Sequence, residues 1–91
     1  MKLEELYELI KDRRITNPSG SYVGELNSQG LDRVIQKVGE EAVEVVIAAK
    51  NPDKLRLLSE SADLLFHLLV LWEQKEIKLS DIEDELERRS K

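Results

Sequence analysis

Apolar residues recur along this chain at helical spacing. Leu3, Leu6, Tyr7, Leu9 and Ile10 share one side of an amphipathic segment that ends near Arg13. Asn17-Pro18-Ser19-Gly20-Ser21 breaks the pattern as a polar loop. Tyr22 to Ser28 returns to helix, interrupted or kinked near Gly30. A long helix then runs from about Gly30 to Lys50. Its apolar face holds Leu31, Val34, Ile35, Val38, Ala42, Val45, Val46 and Ala49, which marks its core side, and Asp32, Gln36, Gly39 and Lys50 mark a solvent side. Asn51 is a good N-cap and Pro52 suits a first helical position, so the next helix is expected to start at Pro52. Its stretch from Leu64 to Trp72 is apolar nearly all round and calls for burial on several sides. After Lys75-Glu76-Ile77-Lys78 a last helix begins, with Ser80 and Glu83 spaced as a capping box. It carries a narrow stripe of Leu79, Ile82 and Leu86, and Arg88, Arg89 and Lys91 complement its C-terminal dipole. It reads as a structural cover without chemistry of its own.

These elements predict an all-α fold, a small bundle of about four helices in a single domain spanning residues 1–91. A chain of 91 residues buries a modest fraction of its surface, and the all-round apolar run therefore predicts a core completed by homodimerisation. The composition, 41% hydrophobic and 36% charged with few aromatics, is that of a helix bundle. A net charge of -5 argues against a nucleic-acid partner, which needs a basic face. No apolar run is long enough to span a bilayer, so no membrane partner is expected. The N-terminus lacks the apolar region of a signal peptide, and the absence of cysteine excludes disulfides and thiolate metal sites. Together these lead to an expected cytoplasmic location.

The chemistry concentrates between Arg33 and His67. Side chains turn by about 100° per residue on a helix, so Glu40, Glu41 and Glu44 share one arc with Arg33 and Lys37. Glu60 and Asp63 lie one turn apart on the following helix. Folding the pair of helices about Pro52 places Glu44 level with Glu60 and Glu41 level with Asp63. If the two acidic stripes face each other, four carboxylates meet in one layer and form a cation site. The simpler reading is a solvated face, in which Lys37 and Glu41 make an ordinary pair at a spacing of four. Two features weigh against it. The acidic stripe is a second polar face on a helix that needs only one, and clustered carboxylates repel unless a metal neutralises them. Gly39 is the oddity of this helix, costing about 1 kcal/mol against alanine. It either admits a closely packed neighbouring helix, the commoner reason, or lets a phosphate or metal-bound water approach the backbone. His67 shares the face of Glu60 and Asp63. A hydrogen-bonded core histidine and a residue supporting the acidic cluster both remain open for it.

The run Gly30-Leu31-Asp32-Arg33, then Lys37-Val38-Gly39-Glu40-Glu41-Ala42-Val43-Glu44-Val45, then Glu60-Ser61-Ala62-Asp63-Leu64-Leu65-Phe66-His67, resembles phosphoribosyl-ATP pyrophosphohydrolase of histidine biosynthesis. That family belongs to the all-α nucleotide pyrophosphohydrolases, marked by E-x-x-E followed by E-x-x-D. Here these are Glu41-x-x-Glu44 and Glu60-x-x-Asp63. The likeness extends from Leu3 to about Arg89 and includes Ser21-Tyr22. Phe66 stands where a tyrosine is common in the family.

The resemblance implies Glu41, Glu44, Glu60 and Asp63 as ligands of Mg²⁺, with Mn²⁺ a substitute, as hard cations suit all-carboxylate sites. It implies hydrolysis of the α-β phosphoanhydride of phosphoribosyl-ATP to phosphoribosyl-AMP and pyrophosphate. Glu40, bordering the cluster, is the candidate for orienting or deprotonating water. Lys37 and Arg33 are candidates for the phosphates, or else for salt bridges to those same glutamates. Ser21 and Tyr22 are substrate-side candidates. Arg13 and Arg14 are candidates for the extra 5′-phosphate that distinguishes phosphoribosyl-ATP from ATP. Two alternatives stay open: a house-cleaning hydrolase of ordinary nucleoside triphosphates, and a non-catalytic helical interaction module.

Overall fold

The computed structural model describes residues 1–90, which form five α-helices and no strand. They are α1 (Leu3–Thr16), α2 (Tyr22–Gln29), α3 (Leu31–Ala49), α4 (Lys54–Gln74) and α5 (Leu79–Arg89). The stretch after the polar loop stands as a helix of its own, interrupted before α3 rather than kinked into it, the first of the two forms expected near Gly30. Gly30 separates the two at φ 96°, a conformation that side-chain-bearing residues rarely adopt. Lys91, the third expected C-terminal cation, lies outside the described residues.

Two helix starts differ from expectation. α4 begins at Lys54, capped by Asp53, whose Oδ1 accepts the Leu55 N–H at 3.0 Å. Asn51 instead accepts the Asp53 N–H at 3.0 Å, closing a turn around Pro52. Both residues are competent caps, and the one nearer the apolar run takes the position. α5 begins at Leu79, not after Ser80, because the Asp81 carboxylate accepts the Lys78 N–H at 2.9 Å. The earlier start sets Leu79 within the helix and against the core.

The polar loop is also more structured than its composition suggests. Asn17 closes α1 in the left-handed region at φ 45°, and Ser21 caps α2 by accepting the Gly24 N–H at 3.2 Å. A Cβ at Gly24 would run into the Asn17 side chain, so this close approach requires glycine. At the end of α4, Glu76 takes φ 60° and the Ile77 N–H reaches back to the Trp72 carbonyl at 2.8 Å, satisfying carbonyls of the last turn. The Tyr7 hydroxyl donates to the Ile77 carbonyl at 2.5 Å and fastens α1 to that turn.

The core gathers Ile10 of α1, Val23 and Leu26 of α2, Val34 of α3, and Leu69 and Val70 of α4. It therefore sits at the end of the α3–α4 hairpin remote from its turn. Most of Leu64–Trp72 is covered by this packing, so the uncovered apolar surface lies elsewhere. It is found nearer the turn, at Val43, Val46 and Ile47 of α3 and Leu55 and Leu58 of α4, and also at Ile35 and at Leu65, the exposed member of that run. Of the face expected to be the core side of α3, only Val34 is fully buried, and Leu31, Ile35, Val46 and Ala49 are exposed. Among the described residues Gly39 packs against no neighbouring helix, since a Cβ there would meet nothing within 4 Å. It falls instead on the exposed apolar stripe of Ile35, Val43 and Val46.

The chain exposes 6578 Å², where a compact monomer of 10.5 kDa would expose about 5,400 Å². Its radius of gyration is 14.2 Å, against about 12 Å for a compact chain of this length. Both excesses have the same origin: half of a hairpin stands uncovered.

Candidate metal centre

The α3–α4 hairpin makes the most extensive helix contact in the fold, and the acidic stripes lie along its edge. Glu41, Glu60 and Asp63 come together there, each offering a carboxylate oxygen within 4.8 Å of the others. An octahedral Mg²⁺ shell with bonds near 2.1 Å separates its oxygens by about 3.0–4.2 Å, so small side-chain rotations suffice to close this group around a cation. The donor set, all carboxylate and partly open to water, fits a hard divalent ion and leaves positions for phosphate or water oxygens.

Glu44, expected in the same layer, turns elsewhere. Its carboxylate lies 4.0 Å from the Arg56 guanidinium, and both side chains are about half exposed. The physical reason is repulsion: without a cation, a fourth carboxylate is better placed beside a positive charge than among three others. Arg56 was absent from the sequence-based candidates. Its spacing could have revealed it, because it sits four residues before Glu60 and seven before Asp63, on their face of α4.

The candidate cations and base are held in ion pairs. Lys37 lies 3.2 Å from Glu41 and 3.9 Å from Glu40, and Arg33 lies 3.8 Å from Glu40. Lys37 thus borders the carboxylate group directly, whereas Arg33 reaches only Glu40. Glu40 is half exposed, lies outside the three-carboxylate group, and also takes a 3.4 Å contact from Gln36.

Ser21 and Tyr22 are placed by α2, the first as its cap and the second as its first residue. The Tyr22 hydroxyl lies 2.9 Å from His67 Nε2, and its ring stacks on Phe66 with centroids 5.9 Å apart. His67 is 5% exposed, and its Nδ1 lies 2.8 Å from the Asp63 carbonyl. His67 is therefore a hydrogen-bonded core residue, and its contact with the acidic cluster is to the Asp63 backbone carbonyl rather than to a carboxylate.

Arg13 and Arg14 part company. Arg13 lines a crevice of about 160 Å³ with Ser21, Tyr22, Phe66 and apolar residues of α1. Arg14 donates to Glu73 at 2.5 Å, and Glu73 is only 6% exposed. The hydrogen bond to Glu73 and its nearby charge raise the Arg14 pKa further above its already high value. Arg14 is committed to a carboxylate near the far end of α4, away from Ser21 and Tyr22.

Comparison with known proteins identifies the family. The family model described as phosphoribosyl-ATP pyrophosphohydrolase matches residues 3–90. A phosphoribosyl-ATP pyrophosphatase of Clostridium botulinum strain Hall is 49% identical over 87 residues, covering 96% of this chain and 79% of that protein. One of Lactiplantibacillus plantarum is also 49% identical over 87 residues, covering 96% of this chain and 82% of its own. The histidine biosynthesis bifunctional protein HisIE of Caldanaerobacter subterraneus is 52% identical over 89 residues, which are 98% of this chain but 43% of that longer protein. An all-helical chain with three clustered carboxylates, matched almost from end to end, belongs to the phosphoribosyl-ATP pyrophosphohydrolase family.

Proposed function

We propose that this chain hydrolyses the α-β phosphoanhydride of phosphoribosyl-ATP, releasing pyrophosphate and phosphoribosyl-AMP in histidine biosynthesis. The observation that carries the reading is the convergence of Glu41, Glu60 and Asp63 within a chain of this family. These three would hold Mg²⁺, or Mn²⁺ in its place, with Glu44 as a fourth ligand released from Arg56. When bound there, a cation would supply the positive charge that offsets the repulsion between these carboxylates and a triphosphate. Around it Lys37, beside Glu41, donates to a phosphate oxygen, and Glu40 orients or deprotonates the attacking water. Arg13, which lines the crevice beside Ser21 and Tyr22, would meet the remote 5′-phosphate, and Arg33 would supplement Lys37.

The working unit is a homodimer. The uncovered apolar residues near the hairpin turn flank the acidic group, and the excess surface of about 1,100 Å² exceeds the ~800 Å² that each partner buries in an ordinary stable interface. A location in the cytoplasm accords with the pathway and with the absence, among the described residues, of any helix long and apolar enough to cross a membrane.

Pyrophosphate release from phosphoribosyl-ATP, measured beside a panel of nucleoside triphosphates, tests the reading. A strong preference for phosphoribosyl-ATP is expected, and Arg13→Glu is expected to raise KM more than it lowers kcat, since it removes binding shared by ground and transition states. Comparable kcat/KM for ATP or a deoxynucleoside triphosphate would instead assign the chain to house-cleaning. Sedimentation that finds a folded monomer at micromolar concentration would remove the dimer.

A further inference from the structure

A carbonyl oxygen only accepts hydrogen bonds, so His67 Nδ1, 2.8 Å from the Asp63 carbonyl, carries a proton. In the neutral ring Nε2 then accepts from the Tyr22 hydroxyl at 2.9 Å. Both nitrogens of a buried imidazole are thereby used, with no capacity left over. The Tyr22 ring is fixed on two further sides, stacked on Phe66 and edge-on to His67 at 5.8 Å. Tyr22 follows the α2 cap, Ser21, and both line the crevice that Arg13 shares. The beginning of α2 is therefore bolted to the turn of α4 that carries Asp63, across 45 residues of sequence. A side chain serving only to fill the core would need no polar partner here, because the Asp63 carbonyl lies within α4 and has its own helical bond.

We propose that His67 is a positioning residue of the hydrolase: acting through Tyr22, it holds the Asn17–Ser21 loop and the Arg13 crevice at a set distance from the Glu41, Glu60 and Asp63 carboxylates. The Tyr22 hydroxyl proton is consumed by this link, so Tyr22 serves substrate by its placement and its ring rather than as a hydrogen-bond donor. The inference rests on the phosphoribosyl-ATP reading for its kinetic consequence, and on this structure alone for its mechanical one.

The test uses Tyr22→Phe, which keeps the ring and its stacking, with His67→Leu and the double variant. Hydrogen exchange on the full chain gives the mechanical readout. Amides of residues 21–24 are expected to exchange at least about tenfold faster in each variant, while those of α3 and α4 around Glu41 and Asp63 keep their wild-type rates. Mn²⁺ affinity is expected to stay within about twofold, because Glu41, Glu60 and Asp63 all stand on α3 and α4 and neither substitution removes a contact of their carboxylates. On phosphoribosyl-ATP, kcat/KM is expected to fall about tenfold or more in both single variants, chiefly through KM because the crevice they displace supplies binding shared by ground and transition states, and no further in the double, as for residues acting as one unit. A folded Tyr22→Phe protein with unchanged exchange, or with unchanged kcat/KM at a lowered Tm, would overturn the proposal and leave His67 a plain core residue. Loss of Mn²⁺ affinity in step with stability would overturn it also, since the carboxylates themselves would then depend on the link. Should His67→Leu fail to fold, Tyr22→Phe at its half-exposed position decides alone. A wild-type protein inert toward phosphoribosyl-ATP would sink the substrate reading, with hydrogen exchange still judging the link.

Discussion

The two ends of the α3–α4 hairpin are built from the same kinds of residue and meet different fates. At the end remote from the turn, Val34, Leu69 and Val70 are fully buried beneath Ile10 of α1 and Val23 and Leu26 of α2. Near the turn, Val43, Val46, Leu55 and Leu58 are equally apolar, yet Leu58 remains 66% exposed and Val46 59%. The acidic group of Glu41, Glu60 and Asp63 lies between the two regions. Apolar periodicity thus marks surface that must be covered without saying by which chain. The covered end makes the fold. The uncovered end places the carboxylates beside exposed apolar surface.

The largest expected effect breaks the covered end. Leu69→Ala should cost about 2–5 kcal/mol, the range for a fully buried leucine, whereas Leu58→Ala near the turn should cost well under that in the isolated chain while weakening association. Denaturant titration with parallel sedimentation checks both, and equal destabilisation at the two sites would erase the contrast.

Next comes the boundary layer. Glu60→Gln should lower turnover by about 100-fold, which is about 2.7 kcal/mol of lost transition-state stabilisation, with the fold intact and slightly more stable without metal. Glu44→Gln is expected to do the same if Glu44 leaves Arg56 on metal binding. A loss below tenfold would restrict the ligands to the three carboxylates already gathered.

Smaller is the effect of Arg14→Ala, which strips the partner from Glu73. A cost of about 1–2 kcal/mol is expected, toward the low end because Arg14 itself is partly solvated. Measured Tm should fall while KM holds, the reverse of the Arg13→Glu pattern. Gly39→Ala should gain up to about 1 kcal/mol in any monomeric form, as the new methyl group meets nothing in this chain. If a partner helix packs closely on the Ile35–Val43 stripe, the same change weakens the dimer, which dilution-dependent sedimentation would reveal.

The smallest effect is a pH dependence. Burial, aided by the negative charge of Glu73, raises the Tyr7 pKa above its ordinary value near 10. A group with a raised folded pKa contributes stability that is complete below its unfolded pKa and lost as pH rises through the folded one. Stability should therefore decline in the alkaline range above about pH 10, and Tyr7→Phe should flatten that decline.

Much of the acidic site was legible from the chain because a helix imposes its own geometry. Glu60 and Asp63 share a face by spacing alone, and a short turn at Pro52 sets Glu41 near them. Glu44 escaped that logic. Its position depends on Arg56, a long side chain one turn nearer the hairpin bend, and on repulsion that wheel geometry does not contain.

The sequence by itself determined that the chain is helical, where the hairpin bends, which residues make the acidic stripe, and which family carries that pattern. These are short-range properties, written in a 3.6-residue period and in contiguous motifs. Tertiary structure alone decided which half of the apolar arc of α3 is covered. It also joined Tyr22 to His67 across 45 residues and Arg14 to Glu73 across 59. The reason is that periodicity gives a side chain's direction about its own helix axis, but not the neighbour waiting in that direction.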